Sequence, residues 1–225
     1  MLAGRGRSGA GHRCHGLRIW PEESLAPTVA QTRLRDEIHR AVEPLLSGSV
    51  ERVLDLGCSV GVSTLHLGRW LRQRAEQRQE PSPHLQGLDL SPDMLAVARV
   101  RDRERLVDGW VHAAAENTGL ETASFDLISL QFVCHELPQD ATHAVLLEAA
   151  RLLRPGGALV MVDQDPDSSV LQRLPAAVAT LLKSTEPYIE QYFSLDMAAA
   201  LQTAGFRNLQ ISACDPRHRV IACLR

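Results

Sequence analysis

The chain has 225 residues, 27 acidic against 24 basic, giving a formal net charge of −3, and 44% of it is hydrophobic. That balance describes a globular protein long enough to bury one domain's core without staples. Four of the bases (Arg5, Arg7, Arg13 and Arg18) lie in the first twenty residues, which hold no acid, so the remainder carries 20 bases against 27 acids, a balance of −7. A body of that sign repels phosphate backbones, which argues against nucleic acid as a partner.

No uncharged apolar run approaches the roughly 18 residues of a spanning helix. The five cysteines (Cys14, Cys58, Cys134, Cys214 and Cys223) are odd in number and include no C-x-x-C pair. This usage points to reduced thiols in an intracellular compartment rather than to a disulfide framework or a cysteine zinc site. Residues 1–24 read as a basic leader or tail and are expected to be disordered. An Arg-rich, acid-poor stretch fits the end of a plastid or mitochondrial transit peptide, or a flexible tail of a cytoplasmic protein.

Residues 25–225 read as a single domain. A helix over 25–46 brings Leu34, Ile38, Val42, Leu45 and Leu46 to one face, and Ser47-Gly48-Ser49 stops it. A repeating order of short apolar strand, turn and helix follows. Strands are predicted at 52–56, 85–90, 110–114, 125–133 and 158–162. Helices are predicted over 60–79, from Ser91-Pro92 onward, over 138–153, over 170–183 and over 195–204. Ser91 is the expected cap and Pro92 the first helical residue, where a missing N–H costs nothing. Arg154-Pro155-Gly156-Gly157 should form a sharp turn. Alternation of this kind means a mostly parallel sheet covered on both faces. Two final strands, 207–213 and 219–224, are joined by a short connection that favours an antiparallel hairpin at the sheet edge.

The first strand runs into Asp55-Leu56-Gly57-Cys58-Ser59-Val60-Gly61. A glycine-rich turn between strand and helix lets backbone approach a ligand. There is no lysine for a P-loop, and the glycine spacing is not that of a dinucleotide loop. The Asp55 carboxylate would oppose a pyrophosphate but suits a ligand bearing positive charge, such as the ammonium and sulfonium of S-adenosylmethionine. A plain turn with an incidental aspartate is the alternative. The second strand ends in Gly87-Leu88-Asp89-Leu90. An acid there is placed to accept both hydroxyls of a ribose. Met94, one turn into the next helix, would pack on an adenine or serve the core.

With these stations in order, the sequence resembles the class I S-adenosylmethionine-dependent methyltransferases. VLDLGCSVG is similar to the family's cofactor loop, GLDLSPDML to its acidic ribose motif, AAAENTGLETASFDLISLQFVCHELP to its adenine turn and fourth strand, and RLLRPGGALVMVD to the turn into the fifth strand. The nearest look-alikes are the small-molecule methyltransferases of quinone biosynthesis, and a plant, algal and cyanobacterial group with CSVGVST and DPRHR signatures. The resemblance implies a Rossmann-like α/β fold with a seven-stranded sheet of order 3-2-1-4-5-7-6, strand seven antiparallel. It implies that Asp55, Gly57 and Gly61 line the methionine moiety and that Asp89 and Leu90 hold the nucleoside. Ala114, Ala115 and Glu116 would form the adenine turn, and Gln131 would face the cofactor. Ala114 departs from the Asp or Asn common there and removes a polar partner for the adenine amino group.

Methyl transfer is an in-line displacement, so positioning supplies much of the acceleration, and a base is needed only if the acceptor must lose a proton. His135 in Cys134-His135-Glu136-Leu137-Pro138 is the candidate base; the alternative is a histidine that only orders its loop. HELPQ lacks the second histidine of a zinc protease motif, and no metal is expected. Asp163 and Asp165 are read as substrate contacts or turn formers. Tyr188 and Tyr192 are read as a lid or core caps, Cys58 as structural, and no role is assigned to Arg217 and His218. The expected partner is a small-molecule acceptor. The competing functions are a cofactor-binding domain that acts through protein partners and a nicotinamide-dependent oxidoreductase.

Overall fold

The computed structural model describes the backbone of residues 27–225 and the side chains of residues 34–225. The basic leader, Cys14 and the first residues of the predicted opening helix lie outside this range. Seven strands form one sheet: β1 (Arg52–Leu56), β2 (His84–Asp89), β3 (Gly109–His112), β4 (Phe125–Gln131), β5 (Leu153–Gln164), β6 (Arg207–Ala213) and β7 (His218–Leu224). Their order is β3-β2-β1-β4-β5-β7-β6, with β7 antiparallel to both neighbours and the first five strands parallel, as expected.

The central strands are buried on both sides, which is why they read as unbroken apolar runs. On one side α1 (Pro27–Val42) and α2 (Val62–Arg78) cover Val53, Leu127, Val160 and Val220 through Ile38, Val42, Leu67 and Leu71. On the other, α4 (Gln139–Leu152), α7 (Ile189–Ser194) and α8 (Met197–Thr203) cover Leu54, Ile128, Leu159 and Ile221 through Val145, Leu146, Tyr192 and Leu201. α3 (Pro92–Arg101) starts as predicted, with the Ser91 hydroxyl accepting from the Met94 N–H and Pro92 in the first turn.

Some boundaries moved for local reasons. α1 ends at Val42 and tightens into a single 3-10 turn, Glu43–Leu45, because Pro44 supplies no N–H to continue it. The predicted turn at 154–157 is instead an irregular entry into β5, with Gly156 at φ +82° and the register against β4 shifting between Phe125 and Leu127. The predicted helix over 170–183 is two, α5 (Ser169–Gln172) and α6 (Ala176–Thr185). Pro175 sits between them, and a proline restricts the residue before it as well as removing a donor. No described helix is long and apolar enough to cross a membrane.

Candidate active site

The strand order reverses between β1 and β4, and ligands of open α/β sheets gather beyond the carboxyl ends of strands at such a point. β1 leaves the sheet there through Gly57 and Gly61, both at positive φ, +76° and +78°. A side chain at Gly57 would place its Cβ 2.5 Å from Val133 Cγ2, so the glycine is required by contact as well as by conformation. Ser59, between them, is also left-handed at φ +48°. Its N–H donates to Asp89 Oδ2 at 2.7 Å, while Asp89 Oδ1 accepts from the Ser91 N–H at 2.8 Å. One carboxylate therefore ties the glycine loop to the end of β2 and retains lone pairs for further donors.

Asp55 is deeper than its place in the motif implied. It lies within β1, 1% exposed, and its Oδ2 accepts from the hydroxyls of Ser63 (2.8 Å) and Thr64 (2.7 Å) at the start of α2. Burial pushes its carboxyl up from the ordinary value, against the hydroxyls of Thr64, Ser63 and Ser129 and the charge of Arg35, which pull it down. Gln131 follows Ser129 on the same face of β4 and donates to its hydroxyl at 2.8 Å. Asp55 Oδ1 and Gln131 Oε1 are both buried without a hydrogen bond among the described residues. Two spare acceptors on adjacent strands fit a ligand that brings N–H donors, such as an ammonium.

The residues expected to meet a nucleoside lie beyond β2 and β3. Leu90 is 67% exposed and Met94 40%, which gives an apolar surface beside Asp89. His112 Nε2 meets the Leu90 carbonyl at 2.9 Å, and the Ala113 N–H donates to the Asp89 carbonyl at 3.2 Å. Ala114 and Ala115 are half-buried in a tight turn closed by the Asn117 N–H on the Ala114 carbonyl. Glu116 is exposed and makes no hydrogen bond or ion pair with the described residues. The brace of this turn had no sequence signal: Glu148 of α4 accepts from the Thr118 N–H (2.9 Å) and hydroxyl (2.6 Å) and pairs with Arg151. Its carboxyl is drawn down to about 2, chiefly by the Arg151 hydrogen bond, against the cost of burial.

His135 sits just past β4, 6% exposed, with Nδ1 at 2.6 Å from Asp163 Oδ1. Asp163 Oδ2 also accepts from the Cys134 and His135 N–H groups (3.0 and 3.3 Å), so the carboxylate fixes both the loop and the ring. The other ring nitrogen, Nε2, is 3.8 Å from Glu186 and 4.0 Å from Glu136. Burial lowers the basicity of the imidazole, but the Asp163 hydrogen bond and the charges of Asp163, Glu186 and Glu136 outweigh it and leave it raised. Sequence reasoning named His135 and Asp163 separately. Their pairing was available only through the β4–β5 register, which sets Gln131 beside Val162.

Of the remaining residues, Tyr192 is buried and its hydroxyl donates to the Gln164 carbonyl, whereas Tyr188 is 36% exposed. Asp165 accepts from the Asp167 N–H and so forms a turn. Among the described cysteines, Cys58, Cys134, Cys214 and Cys223 are all free, and burial raises the thiols of Cys58 and Cys134.

A methyltransferase-domain family model matches residues 54–161, the span from the buried carboxylate of β1 to the middle of β5. Over that span, just under half of its length, the chain is similar to methyltransferase domains. An uncharacterized methyltransferase of Synechocystis is 27% identical over 165 residues, covering 73% of this chain and 71% of the relative. A ubiquinone biosynthesis O-methyltransferase of Xanthomonas oryzae is 31% identical over 137 residues, covering 60% of this chain. The chain spans about half the length of that relative, 49%. Among solved structures, a phosphoethanolamine N-methyltransferase of Haemonchus contortus in complex with S-adenosylmethionine has the same fold, at 16% identity and a TM-score of 0.62 over 84% of this chain and 52% of the other. That neighbour holds S-adenosylmethionine. The residues in place fit it: backbone cleared by Gly57 and Gly61, a loop-anchored carboxylate at Asp89, and two unused acceptors at Asp55 and Gln131.

Proposed function

We propose that the chain methylates a hydroxyl group of a small-molecule acceptor, with His135 as general base and Asp163 as the residue that positions it. The observation that carries this reading is the 2.6 Å contact between His135 Nδ1 and Asp163. A carboxylate on Nδ1 fixes the tautomer that leaves Nε2 free to take a proton. A hydroxyl needs such help, because its neutral oxygen is a weak nucleophile that must lose its proton as the new C–O bond forms.

When bound, S-adenosylmethionine supplies an electrophilic methyl group on a sulfonium. The chain's own residues do the rest. Asp89 and Leu90 hold the nucleoside end, and Asp55 and Gln131 receive the ammonium, Asp55 with the support of Ser63 and Thr64. Gly57 and Gly61 let the loop backbone come close, and the turn at Ala114 and Ala115 offers backbone groups to the adenine. His135 Nε2 accepts the acceptor's proton, and Asp163, Glu186 and Glu136 stabilise the imidazolium that results. The net acidity of the body supports a small molecule rather than a nucleic acid as acceptor. The names of relatives such as the ubiquinone biosynthesis O-methyltransferase support oxygen as the atom methylated.

The test is to incubate the full chain with methyl-labelled S-adenosylmethionine and fractionated small-molecule extract, then to identify the labelled product by NMR. The expected product is a methyl ether that a His135→Asn variant forms far more slowly. A labelled amine or carbon centre would overturn the assignment of the acceptor atom, and equal rates in the two proteins would remove His135 from the chemistry.

A further inference from the structure

A second group of ligating side chains lies outside the methyl-transfer site, on the face covered by α1 and α2. Asp36 and His39 are three apart on α1, so they share one side of that helix. His66, one turn into α2, faces them. One donor atom from each of the three lies within 4.8 Å of the others. His66 Nε2 is 3.8 Å from Asp36 Oδ1, too far for a hydrogen bond.

Two further observations single this group out. His39 is 6% exposed, yet its imidazole makes no hydrogen bond with any described residue. It is stacked between the rings of His66 (centroids 5.0 Å apart) and Trp70 (4.5 Å). His66 Nδ1 is buried and likewise has no hydrogen-bond partner among the described residues. A buried imidazole ordinarily satisfies at least one nitrogen, and here the His66 ring has no partner at Nδ1 while its Nε2 faces Asp36 without a hydrogen bond.

We propose that Asp36, His39 and His66 bind one divalent transition-metal ion, of the zinc, cobalt or nickel type, that clips α1 to α2. Two imidazoles and one carboxylate are the donor set of such ions rather than of magnesium or calcium, which prefer oxygen. Bond lengths of about 2.0–2.2 Å require the donors to draw together and, because an imidazole lone pair lies in the ring plane, require the His66 ring to turn out of its stack on His39. The fourth position falls to water, because Asp36 is half-exposed at 46% of its side chain. The cations nearby are already engaged. Arg69 pairs with Glu104 at 2.6 Å, and Arg35 interacts with the charge of Asp55. The site is built from an i, i+3 pair on one helix and a single residue on the next. No compact sequence motif announces it.

Untagged full-length protein, freed of metal with chelator, is titrated with Zn²⁺ by calorimetry and with Co²⁺ by absorbance and tryptophan fluorescence. The expected result is one ion per chain, quenching of Trp70 by Co²⁺, and a rise in melting temperature with Zn²⁺. His39→Gln, His66→Gln and Asp36→Asn should each weaken binding at least tenfold. Asp36→Asn changes a half-exposed side chain and keeps the test valid if a histidine variant fails to fold. His135→Asn, and a variant with His12, Cys14 and His15 all replaced by serine, should bind as the parent does. Absence of binding, binding unchanged in Asp36→Asn, or binding lost in either control would overturn the proposal and leave the three rings as packing alone.

Discussion

The two halves of the site are built in different ways. The cofactor half is made of turns: the loop after β1, the end of β2 and the turn after β3, each stitched to the next by backbone groups on a few side chains. The acceptor half is made of side chains gathered from afar. His135 meets Asp163 across 28 positions, and Glu186 reaches the same ring from the junction of α6 and α7. The covering elements also differ. α2 buries seven residues, whereas α5 and α6 bury none. A common ligand is held by a rigid, backbone-rich frame, and a variable one is met by side chains under a thinly anchored cover.

The largest expected effect falls on the acceptor half. His135→Asn should lower kcat by about 10²–10⁴-fold, the usual worth of a positioned base, with cofactor affinity unchanged. The pH profile sharpens the point. The folded imidazole is raised above its ordinary value of about 6.5, and a base acts when unprotonated. The rate should therefore climb with pH through an inflection above 6.5 that the variant lacks. Stability has the opposite sign: the paired, protonated ring contributes below about 6.5 and that contribution fades as pH rises through the folded value. A rate falling over that range would break the assignment.

Next comes the frame. Gly57→Ala forces a side chain to φ +76° and 2.5 Å from Val133, costing about 1–2 kcal/mol in conformation and about 1–3 kcal/mol in overpacking. It should lower melting temperature and cofactor affinity together, and loss of affinity with full stability would mean that Val133 yields freely. Asp89→Ala should lower affinity by about 10- to 150-fold, the range for a lost charge-assisted hydrogen bond of about 1.5–3 kcal/mol, and should also lower melting temperature, because the Ser59 and Ser91 N–H groups lose their acceptor. Calorimetry with S-adenosylmethionine measures the affinity of each variant, and an unchanged dissociation constant in Asp89→Ala would remove that residue from the ribose.

The same contrast explains what was legible in the sequence. The strands themselves, the glycine loop, Ser91 as cap and Asp89 at the end of β2 were readable because each is a local signal: a periodicity, a turn residue or an acid at a strand end; the strand order came only from the family resemblance. Pairings across the sheet were not readable. Nothing near Asp163 in the chain marks it as the partner of His135, and nothing near Glu148 marks it as the brace of the adenine turn. Asp55 near the end of β1 suits a positively charged ligand directly or through ordered groups, but its two hydroxyl donors, Ser63 and Thr64, belong to α2 and carry no local signal of that role. The split of α5 from α6 was legible in Pro175 and was passed over for an apolar periodicity that runs through it.

The smallest expected effect tests the cover itself. Leu181 of α6 is 52% exposed, and Leu182 beside it packs only partly against the core. α6 ends at Glu186, whose carboxylate is 3.8 Å from His135 Nε2, so the helix reaches the acceptor side without being part of the domain's core. An exposed substitution away from buried contacts changes stability by no more than about 0.5 kcal/mol, or about 1–2 °C in melting temperature for a domain of this size. Leu181→Ser should therefore leave the melting temperature nearly unchanged while raising the acceptor's KM a few-fold and sparing cofactor affinity. Thermal melts and steady-state kinetics on the two substrates separate these quantities. A melting temperature lowered by several degrees would place α6 within the cooperative core. An acceptor KM equal to that of the parent would place it outside the site. Either result removes the distinction between a fixed frame and a loosely held cover.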